Sequence, residues 1–379
     1  MGKKLASLGL LLLFMLIPAG CWDVKDISNQ AFITSIGLDA VSAPDLKGSQ
    51  YEAKYKVTFE IINQAKLAGP PGEPATIIET VEAPSIGKAV EALQARISKQ
   101  LTLSHLRVLL VGDKLAREKN FMDPASFFEK SAEVELRIQL MFVQDKEARD
   151  VLKIKPRLGK FMSDELVALT EIETNTSLAH ENPFNGFLLD LRNTGGRALG
   201  SRVIVHKDRQ ILIRNGSAIF DNWKLAGWLG CVETQDANWV TQEAPAVVQG
   251  QAEDLFFTCQ TEKVKTEIVP EIKQGKPAFR LNIEMTGTVL EEQGKFMDLT
   301  RPENMEKITQ TISEVVKQSA ARAISKSQKE LGIDYLGLGQ ALKRRYPREY
   351  EKMNWEKVYP GVPVEINVKC TFGRSGLAR

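Results

Sequence analysis

The sequence predicts an α+β protein, with strands and helices mixed along the chain, from three observations. Several segments alternate apolar and polar residues, as half-buried strands do, most clearly at 55–61 and 279–285. Residues 303–331 instead repeat apolar side chains at helical spacing. The chain has 379 residues, of which 43% are hydrophobic and 26% charged. That length exceeds one ordinary core and indicates two or three domains.

The first part of the chain alternates strand and helix patterns. Apolar residues recur at helical spacing from Ile86, after a proline at the position where helices tolerate one. Residues 67–75 form a Pro/Gly-rich loop. The region 113–132 is helical in pattern. The predicted strands are 32–38, 55–61, 105–112 and 136–142.

The middle of the chain is less regular. A helical and then glycine-rich segment at 184–200 precedes several short strands with tight turns, and we expect Asn215-Gly216 to be a hairpin turn. Trp223, Trp228 and Trp239 lie close together in the sequence, and we expect them to build a small satellite core.

The last third has the clearest pattern. A strand with apolar residues from Phe279 to Met285 precedes the long amphipathic helix 303–331, which Gly332 is expected to close. A second helix ends before Pro347, and an alternating strand begins at Val364. Strand, long helix, short helix and strand make a compact α+β domain.

The amino terminus has the features of a secretory signal peptide. Lys3 and Lys4 precede the apolar or small residues 5–17, and small residues then lead to Cys21. Bacterial lipoprotein signals end in an aliphatic residue, two small residues and a cysteine that receives a diacylglycerol. Ala19, Gly20 and Cys21 fit this pattern, whereas Pro18 departs from it. We therefore expect cleavage after residue 20 and a lipid anchor on Cys21; the alternative is a buried helix at a domain edge.

The charge balance argues against a nucleic-acid-binding protein. Removing residues 1–20 takes away two lysines and no acid, which leaves 48 basic and 48 acidic residues. The mature chain keeps Cys231, Cys259 and Cys370 besides the anchor. The alternation around Cys370 predicts a small buried residue. Spacing alone leaves open whether Cys231 and Cys259 pair.

No catalytic motif emerges from the sequence. Nucleotide-binding loops, nucleophile elbows and zinc-type Cys/His spacings are all absent. Of the three histidines, His105 is expected to hydrogen-bond a loop, His180 lacks a second histidine at helical spacing, and His206 ends a strand pattern. We therefore predict no enzyme activity, no cofactor and no metal.

One basic segment is a candidate surface for a partner or a membrane. Lys343, Arg344, Arg345 and Arg348 are suited to anionic lipid headgroups or to an acidic partner loop. A solvated helix face, balanced by nearby glutamates, is the favoured interpretation because the local excess is small.

An ordered set of motifs runs along the mature chain. "GCWDVKDI" and "AFITSIGLDA" open it, "LSHLRVLLVGDKLAREKNFMDPASFF" follows, and "NGSAIFDNWKLAGWLGCVET" lies in its middle. The last motif contains Asp334, Gly337, Gly339, Tyr346, Pro347, Trp355, Pro360 and Gly376. In this order the motifs resemble the start, the N-terminal domain, the central segment and the C-terminal signature of the Ger(x)C family, the C subunits of spore germination receptors.

The resemblance implies a lipid-anchored, non-enzymatic subunit of a nutrient germinant receptor. Its partners would be the integral-membrane A and B subunits, at the outer face of the spore inner membrane. The family fold implies three domains, each a largely antiparallel sheet flanked by helices. We place the signal peptide at 1–20, an N-terminal domain at 21–200, a small middle domain at 201–258 and a C-terminal domain at 259–379.

Two other classes of function stay open at this point. One is a solute-binding lipoprotein that delivers a small nutrient to a membrane transporter, although the two halves of the chain differ in pattern. The other is a cell-envelope hydrolase, which the missing pairing of nucleophile and base disfavours.

Overall fold

The computed structural model describes residues 27–41, 51–70, 73–157, 159–173, 177–206, 211–252, 255–294, 299 and 301–374. The predicted signal peptide and Cys21 lie outside the described residues. The part described contains two β-sheets with helices around them, which confirms the mixed α and β class.

A nine-stranded mixed sheet forms the first lobe. Its order is β3-β2-β1-β5-β6-β7-β8-β9, with β4 beside the start of β1. The pairs β1/β5, β5/β6 and β6/β7 are parallel and the pairs on either side are antiparallel. The strands are β1 (Gln30–Ala40), β2 (Tyr55–Ile62), β3 (Thr76–Ala83), β4 (Gln100–Thr102), β5 (Val108–Gly112), β6 (Gln139–Val143), β7 (Ala198–His206), β8 (Ile211–Asp221) and β9 (Lys224–Leu229).

Helices cover both faces of this sheet because its central strands are apolar on both sides. All five residues of β5 are buried. One core lies under α1, α2, α3 and α6, and another under α4 and α5. The helices are α1 (Ile86–Gln94), α2 (Asp113–Glu118), α3 (Met122–Lys130), α4 (Ala148–Leu152), α5 (Met162–Glu173) and α6 (Phe184–Thr194).

A four-stranded sheet forms the second lobe. Its order follows the chain, with β12 and β13 parallel and the other pairs antiparallel. The long helix α8 packs its apolar stripe on one face, and shorter helices cover one end of the sheet. The elements are β10 (Val247–Ala252), β11 (Leu255–Lys273), β12 (Lys276–Gly294), α8 (Pro302–Ser325), α9 (Leu338–Arg345), α10 (Pro347–Glu351), α11 (Trp355–Val358) and β13 (Val364–Arg374), preceded by α7 (Cys231–Thr241).

The helix α7 joins the two lobes through a shared apolar core. Leu199, Ile219 and Leu229 of the first sheet pack in the same cluster as Trp239 of α7 and Ile312 of α8. The ion pair between Lys326 and Glu233, at 2.9 Å, adds a polar link beside it. Because the core is continuous, large motions of one lobe against the other are disfavoured.

Several predictions for individual elements are confirmed. The strands at 32–38 and 55–61, the helix from Ile86 and the strand from Val364 are all present. The predicted helix 303–331 is an α-helix to Ser325 and a π-helix from there to Leu331. Gly332 follows in the left-handed conformation, with φ 66°, as a closing glycine should.

The prediction of a hairpin turn at Asn215-Gly216 is wrong. Both residues lie inside β8, where a register shift opposite Ser201 and Val203 marks a bulge. Gly216 has φ +76°, and a Cβ there would lie 2.5 Å from the Arg202 guanidinium carbon. The dipeptide has turn chemistry, but its left-handed glycine bends a strand instead of ending it.

The satellite core expected from three tryptophans is also absent. Trp223 and Trp228 pack against the first-lobe core, whereas Trp239 is buried in the core shared with the second lobe. The tight turn in this region is at Asn222 and Trp223, whose φ angles are 48° and 67°. Turn and helix geometry thus separate tryptophans that are neighbours in the sequence.

The three-domain boundaries remain predictions. The first sheet contains strands on both sides of the boundary that the sequence suggested near residue 200, since β7 and β8 pair along their length. The second boundary falls within β11, which starts at Leu255.

Candidate functional site

The end of the first sheet from which the amino terminus emerges is one candidate surface. Cys21 stands nine residues before Gln30, where β1 begins. The segment Ile27–Asn29 forms a single 3-10 turn before the strand. A chain of that length spans at most about 30 Å, so the lipid predicted on Cys21 would hold this end close to a bilayer.

The four predicted basic residues form one exposed surface, which we call the basic face: Lys343, Arg344, Arg345 and Arg348. The first three occupy the last turn of α9, and Arg348 lies in α10. Within the described part of the chain, no acidic side chain lies at ion-pair distance from any of the four. Their charges are therefore available to a partner.

The start of α9 explains why the basic face points outward. The buried carboxylate of Asp334 accepts hydrogen bonds from the backbone N–H groups of Leu338, at 3.0 Å, and Gly339, at 2.6 Å. It also accepts one from Trp355 Nε1, at 2.9 Å. Leu338, Ala341 and Leu342 then face the core. Burial raises the pKa of Asp334 despite these donors.

A polar cleft of about 580 Å³ lies between the two lobes. It is bounded by the end of α6, the start of β7, the end of α7, the middle of β11 and α9. Burial raises the pKa of Asp190 in its wall, where the Asn182 side-chain amide donates to the carboxylate at 2.8 Å. The charged and titratable residues in the lining are His180, Glu181, Asp190, Arg197, Glu267, Tyr335 and Arg344.

Arg197 connects the lobes at the mouth of this cleft. Its Nε lies 2.9 Å from an oxygen of Asp221 in the first lobe. Its terminal nitrogen lies 2.5 Å from an oxygen of Glu356 in the second lobe. The arginine side chain is largely buried, with 15% exposed, whereas Glu356 is 73% exposed, so solvent screens this link much as it does in a surface ion pair.

The described histidines take structural positions. His180 is buried, which lowers its pKa to about 4 and keeps the ring neutral at physiological pH. Its Nδ1 lies 2.9 Å from Asn238 Oδ1. The Asn238 amide nitrogen donates to the Ala179 carbonyl, so its oxygen is the acceptor and His180 Nδ1 carries the proton. His105 lies 3.0 Å from the Ser104 hydroxyl and contacts the ring of Phe32, as a loop-binding histidine should.

The three described cysteines are free thiols. Cys259 and Cys370 are buried, which confirms the prediction for Cys370. Burial raises the pKa of Cys259 to about 12 and also raises that of Cys370. Cys231, at the first position of α7, is partly exposed and forms no bond with Cys259 in this structure.

Sequence reasoning missed two buried carboxylates in the first lobe. Glu60 accepts hydrogen bonds from the side chains of Thr34 and Ser35 and from the backbone of Met162 and Ser163. Asp39 caps α4, and burial raises its pKa to about 6. In each strand the carboxylate alternates with the apolar residues, at a position where a polar side chain is usually exposed, so periodicity did not indicate its burial. Both carboxylates accept hydrogen bonds from groups within the fold.

Two absences concern the described residues alone. Within them, no three His, Cys, Asp or Glu side chains are grouped in a way that would bind a metal ion. No helix among them combines the length and apolar character needed to cross a bilayer.

Comparison with known families matches nearly the whole chain. Residues 23–201 match the family described as spore germination protein N-terminal domain. Residues 215–376 match the family described as spore germination B3/GerAC like, C-terminal. The two matches meet in the hairpin of β7 and β8.

Curated relatives align over the full length. Spore germination protein KC of Bacillus subtilis (strain 168) is 22% identical, covering 100% of this chain and 97% of the relative. Spore germination protein B3 of the same organism is 24% identical, covering 98% and 100%. Among solved structures, the crystal structure of the GerBC protein superimposes with a TM-score of 0.54 at 19% identity, covering 89% of this chain and 97% of that one. This last likeness supports the fold.

Proposed function

The chain belongs to the Ger(x)C family of spore germination proteins, and on that premise we propose that it is the lipid-anchored C subunit of a nutrient germinant receptor. The observation that carries this proposal is the pair of family matches, which together run from residue 23 to residue 376. Relatives of the same length bear the name spore germination protein. Alignment over nearly the full length of both chains favours the same subunit role.

The proposed role places the protein at a membrane that it does not cross. Cys21 carries the diacylglycerol after cleavage, and a further acyl chain on its amino group completes the anchor. Several acyl chains hold a protein at a membrane more stably than a single chain does. The soluble body then stands on the outer face of the spore inner membrane. There it assembles with the integral-membrane A and B subunits.

We infer that the protein acts by binding and not by catalysis. Buried titratable groups are held by hydrogen bonds within the fold: Asp334 by Leu338 and Gly339, and His180 by Asn238. A catalytic acid or base needs a free face toward its substrate. The hydrogen bonds of these two groups hold α9 in place and join the lobes.

A second candidate function is favoured by the inter-lobe cleft. Its volume of about 580 Å³ suits a small polar solute. A lipoprotein that captures a nutrient and presents it to a membrane transporter would use such a cleft. Ligand binding at a hundred times the dissociation constant stabilises a protein by about 2.7 kcal/mol, so a nutrient panel in a thermal-shift assay detects this function. Stabilisation that Arg344→Gln abolishes would favour it over the first.

Fractionation and affinity purification test the proposed function. We expect the wild-type chain in the spore membrane fraction, with the A and B subunits recovered when it is purified in mild detergent. Cys21→Ala blocks acylation and should lower the recovery of both partners. Cys231→Ser is the matched control, because it also removes one thiol and leaves the anchor intact. Recovery of wild type without either partner would contradict the assembly.

A further inference from the structure

The basic face lies at the same end of the molecule as the tethered amino terminus. The pairs Ser35↔Val108, Val108↔Gln139 and Met141↔Ser201 show that β1, β5, β6 and β7 run parallel in register. Through these pairs Ser35 of β1 stands level with Leu199 of β7, about three strand spacings or 14 Å away, so the starts of both strands lie at the same edge.

The second lobe touches the first at this shared edge. Arg197, just before β7, is 2.5 Å from Glu356 of α11, and Arg344 of α9 lines the cleft beside it. The basic face is thus on the same side as Ile27–Asn29, which precede β1. Since the nine residues from Cys21 to Asn29 span at most about 30 Å, an anchor on Cys21 brings this edge near the bilayer surface.

Charge distinguishes the segment that carries the basic face from the opposite end of the first sheet. Residues 343–352 hold five basic and two acidic residues, and the four of the basic face are exposed without acidic partners in the described structure. Glu356, the nearby acid of α11, is paired with Arg197. At the far ends of β5 and β6, residues 113–118 and 145–150 together hold four basic and five acidic residues.

We propose that the basic face, Lys343, Arg344, Arg345 and Arg348, rests on anionic lipid headgroups around the anchor and so fixes the orientation of the receptor-bound body. Basic side chains held at an anionic surface are attracted over about one Debye length. The anchor on Cys21 keeps the protein close to the bilayer, and the four positive charges determine which end of the protein faces the lipid. This inference rests on the proposed lipid anchor.

Energy transfer from two labelled positions to a headgroup-linked acceptor dye tests the orientation. The mature acylated chain, in a Cys231→Ser background, carries a donor at Lys352→Cys beside the basic face or at Lys146→Cys beyond the far end of β6. It is reconstituted in vesicles of phosphatidylcholine alone or of equimolar phosphatidylcholine and phosphatidylglycerol. The eleven-residue strand β1 is about 33 Å long, and this length sets the order of the expected difference in distance to the bilayer between the two donor positions.

We expect stronger transfer from position 352 than from position 146 on the anionic vesicles, and a smaller difference on the neutral ones. Replacing the four basic residues by glutamine should abolish the difference, and Arg344→Gln/Arg345→Gln should reduce it. The matched control Lys114→Gln/Arg117→Gln, at the far edge, should leave it unchanged.

Equal transfer from both positions on anionic vesicles would contradict the proposed orientation. It would not contradict the proposed lipid anchor. A difference that appears after addition of the A and B subunits, and not with lipid alone, would also overturn the orientation and assign the face to an acidic protein partner. A chain retained by neither vesicle would overturn the anchor of the proposed function, and this inference with it.

Discussion

Arg322 of α8 and Asp236 of α7 form a two-pronged ion pair, with Nε and Nη2 each 2.9 Å from a different carboxylate oxygen. Asp236 is 4% exposed, so its charge depends on this partner. The pair lies beside the apolar core that both lobes share. It connects the helix that leaves the first sheet to the long helix of the second.

Removing the arginine should therefore destabilise the protein. Arg322→Gln leaves the Asp236 carboxylate buried with its charge unpaired, and we expect the free energy of unfolding to fall by about 2 kcal/mol, since the arginine is itself half exposed. Urea unfolding measures it. Arg117→Gln is the control, because Arg117 pairs with Asp113 at an exposed helix position and should cost under about 0.5 kcal/mol. Equal effects would contradict the role of burial.

Gly339 should not tolerate a side chain. A Cβ there would collide with Trp355 Nε1 and would lie 2.7 Å from Trp355 Cε2 and 2.9 Å from an oxygen of Asp334, inside the contacts that start α9. Alanine is favoured over glycine inside helices, yet we expect Gly339→Ala to cost about 2 kcal/mol because the neighbours must move. The comparison is Gly361→Ala, where nothing lies within 4 Å of the new Cβ. That variant should change stability by less than about 1 kcal/mol, and a neutral Gly339→Ala would refute the packing argument.

Asp39 should make stability depend on pH. Its folded pKa is about 6, above the ordinary 3.8, so between these values the folded state binds more protons than the unfolded one. Stability then falls as the pH rises from about 4 to about 6, by at most about 3 kcal/mol. Asp39→Asn cannot titrate and should lose this slope in unfolding measured at several pH values. Glu349→Gln removes an exposed charge, leaves Asp39 in place and should keep the wild-type slope.

Thiol reactivity should single out Cys231. Cys259 and Cys370 are buried and their pKa values are raised, so neither forms a thiolate readily in the native state. Titration of the native mature chain with an aromatic disulfide reagent should report one thiol, and Cys231→Ser should report none. All three thiols should appear after denaturation. A native count of zero in the wild type would indicate that Cys231 is bridged or shielded.

Periodicity was enough to predict the elements whose environment is uniform along their length. The helix 303–331 and the strand from Val364 each keep one apolar face throughout, so spacing locates them. Periodicity failed where contacts between residues distant in the sequence determine the backbone conformation. Gly216 bends β8 because the segment near Ala179 pairs beside it, and nothing local distinguishes that glycine from a turn glycine.

The candidate surfaces were only partly accessible from sequence. The four basic residues of the basic face could be identified by composition, but their place at the edge where β1 begins depends on the registers of β1, β5, β6 and β7. The inter-lobe cleft was not foreseen at all, because its walls come from segments as distant as Asp190 and Arg344. The roles of Asp39 and Glu60 likewise required knowledge of which backbone amides face them.

Germination of purified spores tests the central claim most directly. The spores lack the gene for this protein and its sister receptor genes. They are complemented with the wild-type gene or with Cys21→Ala. They are then exposed to nutrients or to a non-nutrient trigger. Loss of optical density follows germination. We predict that the deletion abolishes the nutrient response and spares the non-nutrient one, that wild type restores it, and that Cys21→Ala restores it weakly. A wild-type copy that restores no nutrient response would contradict the assignment to a germinant receptor.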